Sequence, residues 1–206
     1  MAKQPSSRRR NDPEGVRTRV LDAASMLFQA HGYHATGMRE VIAATRLSPG
    51  AVHHHFPTKE SLAIAVITDR VAPAVRESWI EPVRHAASLR QGVTRVFTEI
   101  IRGIDDRGQV SGCPLNNLAM ELSLTNVRLR DALRSIFREW QDALEQRISE
   151  TPRGKQMTKN QRSAAAAFIV ASYSGAMNLA KATQEPTPLK VTRRALAHWL
   201  TEQRLS

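Results

Sequence analysis

Ser48-Pro49 and Pro57-Thr58 bracket eight residues, PGAVHHHF, and this bracket limits the fold more than any other feature of the chain. Proline pushes its predecessor out of the α region and loses nothing at a first helical position, where the amide has no partner. Ser48 therefore reads as an N-cap and Pro49 as the first residue of a helix. A second start signal at Thr58 follows Pro57, with Lys59 and Glu60 in the next first turn. The enclosed helix has only about two turns. A helix that short is stable only when neighbours hold it.

Those neighbours are readable. Val16, Val20, Leu21, Ala24, Leu27 and Phe28 recur at helical spacing up to Gly32. Thr36 is placed to cap MREVIAAT, whose apolar face is Met38, Val41 and Ile42, and Arg39 at its third position predicts that no reciprocal capping box forms. Only Thr45, Arg46 and Leu47 then precede Ser48. Downstream, Leu62, Val66 and Ile67 begin a fourth helix that Pro73 is expected to kink or end. A fifth spans Leu89 to Ile104, Pro114 opens a sixth, and Leu129 to Ile148 show the clearest helical period. An eighth, 163–182, is rich in Ala, Ser and Gly, and a ninth carrying Leu189, Leu196, Trp199 and Leu200 follows PTP at 186–188. Neither repeats nor strand patterns are found. The expectation is an all-α chain of about nine helices: an arm over 1–12, a unit over 13–73 that includes the start of the fourth helix, and a helical domain over 74–206.

Composition narrows the class. The formal net charge is +11 in 206 residues, which suits a polyanionic partner, although charge bears on association rather than fold. Lys3, Arg8, Arg9 and Arg10 stand without an acid in the first ten residues, whose polarity predicts a disordered arm. Residues 11–60 balance five basic side chains against five acidic ones, so bulk charge does not locate a binding face. One cysteine, Cys113, excludes an intrachain disulfide and any multi-cysteine zinc site. A signal-like apolar segment and long uninterrupted apolar runs are both lacking, so the expectation is a cytoplasmic protein without a membrane partner.

His53, His54 and His55 invite a metal or catalytic reading. Consecutive helical residues point about 100° apart, so the three imidazoles cannot converge on one ion. Nucleophile-and-base arrangements are missing beside them, and the chain has neither paired Glu-x-x-His motifs nor a phosphate-binding loop. No catalysis, metal or cofactor is expected. Two short helices joined across three residues, with a longer helix to pack on, follow helix-turn-helix logic: the second lies in the DNA major groove and presents its N-terminal residues. Val52 and Phe56, four apart, would anchor that helix, while His53 and His54 project outward.

The residues at this point carry a resemblance. Arg17 to Leu62, with Ala23-Ala24, Leu27-Phe28, Gly32-Tyr33, Thr36, Ile42-Ala43-Ala44, Ser48-x-Gly50 and His54-His55-Phe56-x-x-Lys59-Glu60-x-Leu62, resembles the N-terminal DNA-binding domain of TetR-type transcriptional regulators. GCPLNNLAMELS at 112–123 and AAFIVASYSGAMNLAKA at 166–182 resemble the ligand-sensing region of the LmrA/YxaF-like subgroup. There are two departures: Arg46 stands where the family usually has a turn glycine, and His53 where a tyrosine commonly meets the DNA backbone.

The resemblance implies a homodimer, paired through the eighth and ninth helices, that binds palindromic double-stranded operator DNA and leaves it when a small apolar or aromatic effector enters the C-terminal domain. Thr36 and Lys59 would contact phosphates, and Arg46, Ser48, Pro49, Gly50, Ala51, His53 and His54 would lie nearest the groove, with Arg8, Arg9 and Arg10 as an additional arm. Trp79, Phe97, Ile101, Cys113, Asn117, Phe137, Trp140, Tyr173 and Met177 are candidate effector contacts by residue type, since such pockets are mostly apolar. A helical-bundle enzyme or metal-binding protein with an incidental basic surface is the competing class, and an activating or ligand-independent regulator of the same fold also remains open. Deleting residues 1–10 should flatten the salt dependence of DNA binding by roughly one slope unit per lost phosphate contact. An unchanged slope in a salt titration removes the arm from the interface.

Overall fold

The computed structural model describes residues 12–205, which hold nine α-helices, counting the unbroken stretch 59–84 as one, a short 3-10 helix at Gly154–Gln156, and no strand among the described residues. Helix α1, Pro13–His31, is capped by Asp12, whose Oδ1 accepts from Gly15 N at 2.9 Å. It buries Val20, Leu21, Ala24 and Phe28. Helix α2, Met38–Thr45, begins one residue later than Thr36 would have it. Its N-cap is Gly37, whose amide donates to the Glu40 carboxylate at 2.6 Å, so the acid of a capping box is present at the third helical position. Helix α3, Pro49–His55, starts where Ser48 and Pro49 require, with Ser48 Oγ accepting from Ala51 N at 3.2 Å.

The turn between α2 and α3 is made by Arg46 in the left-handed region, φ 55° and ψ 26°. Arg19 from α1 closes it by donating to Thr45 O at 2.8 Å. Helix α1 thus holds α2 by a polar tie and α3 by apolar contact, since Val52 and Phe56 are buried in the common core. Ion pairs Arg17–Asp69 at 2.6 Å and Arg70–Asp22 at 2.7 Å fasten α1 to the next helix.

That helix, α4, runs over 59–84. Thr58 caps it by accepting from Ser61 N at 3.0 Å. It is α-helical at Lys59–Val66, widens to a π-helix at Ile67–Val71, narrows at Ala72–Val75, widens again at Arg76–Ile80 and finishes as α-helix at Glu81–Arg84. Pro73 therefore does not end the helix. Ala72 N donates to Ile67 O and Glu81 N to Arg76 O, each five residues back, and Pro73 and Pro82 come immediately after these bonds. A proline lacks the donor for a four-residue bond and crowds the carbonyl at that position. A widened turn just before it relieves both conflicts, so the helix passes through.

Helices α5 (Leu89–Arg107), α6 (Pro114–Leu122), α7 (Val127–Ser149), α8 (Lys159–Thr183) and α9 (Thr187–Glu202) complete the chain. Helix α8 starts four residues before 163 because Thr158 and Gln161 form a reciprocal capping box there. Helix α8 is long and apolar enough to cross a membrane, and here it packs between α7 and α9. Helix α9 also packs on α5, so α4, α5, α7 and α8 enclose an aromatic centre of Trp79, Phe97, Trp140 and Tyr173 with ring centroids 4.8 to 5.7 Å apart.

Arg46 gives a direct stability test. A non-glycine residue held left-handed costs about 1–2 kcal/mol, and the freer unfolded chain of a glycine variant returns about 0.4–1 kcal/mol of that. Arg46→Gly should therefore raise the unfolding free energy by about 0.5–1 kcal/mol with an unchanged denaturant slope. A loss of stability in urea titration would show that the arginine side chain makes compensating contacts.

Candidate DNA-reading face and effector cavity

Short helix α3 divides its residues sharply. Val52 is fully buried and Phe56, which caps its C-terminus, is 3% exposed, so this side is fixed to the core. Ser48, Pro49, Gly50, His53 and His54 are exposed, and Ala51 and His55 are half-buried. A Cβ built on Gly50 would meet nothing within 4 Å, so the leading edge of α3 is open surface. His54 and His55 stack edge-on at 5.4 Å, and among the described residues no three His, Cys, Asp or Glu side chains are gathered to hold a metal. Arg46 lies exposed beside this edge.

Lys59 stands in the first turn of α4, next to the same surface. Its ammonium is 4.1 Å from the Tyr33 ring centroid and 3.4 Å from His34 O, and partial burial lowers its pKa while Glu121 and Glu40 oppose that shift. Thr36 is placed differently from expectation. It is 1% exposed, and its hydroxyl donates to Gly32 O at 2.8 Å and Leu27 O at 3.3 Å. A side chain so buried closes the end of α1 and presents nothing to a phosphate. Arg8, Arg9 and Arg10 lie outside the described residues.

The second feature is a cavity of about 410 Å³ in the C-terminal half. Of the candidate effector contacts, Trp79, Cys113, Trp140, Tyr173 and Met177 line it. Phe97, Ile101, Asn117 and Phe137 do not. Phe97 is fully buried behind Trp79, Ile101 packs into the core beside it, and Phe137 is half-buried at the core edge. Asn117 is hydrogen-bonded to Gln29 and Ser111 instead.

Sequence reading missed the wall supplied by the widened part of α4, through Val71, Val75, Ser78 and Pro82, and the polar rim of Glu77, Arg95, Glu99 and Arg107. The α5 side of the wall is Val96, Ile100, Gly103 and Ile104. Gly103 was its one signal: a glycine inside a helix costs about 0.5–1 kcal/mol relative to alanine, and here it leaves room. Burial pushes the Cys113 thiol and the Tyr173 phenol up, so both stay protonated. The indole N–H of Trp140 is buried with no hydrogen-bond partner among the described residues, while that of Trp79 is buried beside the Tyr173 phenol. Such an orphaned donor next to a cavity favours a ligand that carries an acceptor.

Comparisons with known proteins agree with this layout. Residues 20–66 match the family model of bacterial regulatory proteins, tetR family, and residues 90–195 match that of the transcriptional regulator LmrA/YxaF-like, C-terminal domain. The HTH-type transcriptional regulator LmrA of Bacillus subtilis is 26% identical over 174 residues, covering 84% of this chain and 90% of that protein. The HTH-type transcriptional repressor DhaR of a Mycobacterium species is 24% identical over 185 residues, covering 84% and 86%. Among solved structures, a TetR transcriptional regulator from Chloroflexus aurantiacus superposes with a TM-score of 0.78 at 29% identity, covering 93% of this chain and 96% of that one.

Anchoring and presenting residues on α3 separate experimentally. Phe56→Ala should cost about 3–5 kcal/mol of unfolding free energy, whereas His53→Ala and His54→Ala should each stay within about 0.5 kcal/mol of the parent. Chemical denaturation measures all three, and a large loss at either histidine would place it in the core.

Proposed function

Because the chain belongs to the TetR family of DNA-binding transcriptional regulators, which are not enzymes, and carries the LmrA/YxaF-like C-terminal domain, we propose that it is a dimeric repressor released from its operator by a small, largely apolar effector. One observation carries this reading. Helix α4 begins at Thr58 and Lys59 beside the exposed edge of α3 and, without a break, supplies Val71, Val75, Ser78, Trp79 and Pro82 to the cavity wall. A ligand that moves the wall moves the foot of the helix. The proposed DNA contacts are Arg46, Ser48, Pro49, Gly50, Ala51, His53, His54 and Lys59. Arg8, Arg9 and Arg10 are proposed to extend them along the backbone.

Support for a dimer lies on α8 and α9. Phe168 and Leu179 of α8 are 46% and 60% exposed and Val191 of α9 is 50% exposed, while a Cβ on Gly175 would meet nothing. With Ala164 and Ala171 also exposed, α8 presents an apolar stripe at helical spacing that a single chain leaves uncovered. A two-fold pair would cover it and set two α3 helices about 34–36 Å apart, one turn of DNA. The effector is proposed to be aromatic or apolar with a hydrogen-bond acceptor, to match the aromatic wall and the unpartnered Trp140 indole N–H. A preference for the released conformation worth about 1–3 kcal/mol suffices for a 5- to 150-fold loss of DNA affinity. A cytoplasmic location follows from the same proposal.

Leu179→Glu should convert the sedimenting species from two chains to one and weaken binding to a duplex from the region upstream of the gene by roughly 100-fold, as bivalent contact is lost. A monomeric parent protein, or a charged variant that still pairs and binds, overturns the dimer.

A further inference from the structure

Asn117 faces away from the cavity, and its partners give it another use. Its Nδ2 donates to Gln29 Oε1 at 3.1 Å and to Ser111 O at 3.0 Å, and its Oδ1 accepts from Lys181 Nζ at 2.9 Å. Gln29, on α1, donates in turn through Nε2 to Ser111 O at 2.9 Å and Gly112 O at 3.0 Å. Both amide groups use both donor hydrogens, and both oxygens accept, so the two carboxamides form a closed clasp. Ser111 and Gly112 are themselves cavity wall. Gly112 has φ +84°, and a Cβ there would lie 2.8 Å from both Asn117 Oδ1 and Lys181 Cδ, so the wall segment is pressed directly onto the clasp. Farther along α6, Glu121 Oε2 accepts from His34 N at 3.0 Å. Helix α6, whose first residues Pro114 and Leu115 also line the cavity, is therefore tied near both ends to the α1–α2 segment.

We propose that Gln29 and Asn117 are positioning residues that carry the state of the cavity wall to the DNA-reading face through α1, alongside α4. This rests on the repressor reading above. Helix α1 packs on α2, α3 and α4 and holds the α2–α3 turn through Arg19. If Ser111 and Gly112 shift to admit a ligand, either the half-buried carbonyls and amides of the clasp lose their partners or α1 follows. Leaving such groups unpaired is the more costly course, so α1 follows.

The test uses the full-length protein, 1-anilinonaphthalene-8-sulfonate as the cavity probe, and the upstream duplex. In the parent, saturating duplex should weaken dye binding roughly 5-fold or more, and by reciprocity saturating dye should weaken duplex binding by the same factor. Gln29→Met should keep each separate affinity within about twofold while the coupling factor falls to less than half of the parental value, the remainder being what α4 carries. Asn117→Leu should do the same and serves if the first variant misfolds. A purely structural role would change melting temperature or both affinities and leave the coupling in place. Parental coupling in either folded variant overturns the clasp alone, whereas a parent without coupling overturns the repressor reading and the clasp together.

Discussion

The hydrogen bonds from Ala72 and Glu81 to carbonyls five residues back are the constraint on which the architecture rests. Without those wide turns, Pro73 and Pro82 would each break α4, and the N-terminal unit would be joined to the C-terminal one by a hinge. With them, a single rod carries Lys59 at one end and Trp79 near the other. The wide turns also shape the empty space, because the residues around them form one wall of the cavity. Arg17 and Arg70 then pair with Asp69 and Asp22 across the α1–α4 seam, so the rod carries α1 with it.

Much of this fold was legible because its start signals are local. Ser48, Thr58 and Pro114 act through their own and adjacent backbone, and each begins a helix where the sequence places it. Thr36 failed for the opposite reason. Gly37 caps α2 instead, because Glu40 claims the Gly37 amide and backbone carbonyls at and beyond the end of α1 claim the threonine hydroxyl. Pro73 does not end the helix because the turn before it widens, which periodicity does not signal. Arg46 was marked by the resemblance alone, as an arginine where the family's turn usually has glycine, and only Arg46 and Leu47 lie between α2 and the Ser48 cap.

The reading face was more legible than the cavity for a physical reason. On α3 the partition between Val52 and Phe56 inside and His53 and His54 outside follows from polarity and a 3.6-residue period. On α5 nearly every inward residue is apolar, so periodicity cannot tell Phe97 and Ile101, which face packed core, from Ile100 and Ile104, which face a void. Asn117 looked like a ligand contact because a polar residue among apolar ones on a helix has few uses. Its partner, Gln29, lies 88 residues away, beyond the reach of local pattern.

Among the described residues none before Val71 lines the cavity, and the exposed edge of α3 is made by 48–54. Substitutions that reshape the chamber therefore leave the exposed side chains of α3 untouched, and the reverse also holds. A lineage with this layout can change what it senses and what it regulates as separate traits, so long as any recombination point along the connecting rod preserves helical phase.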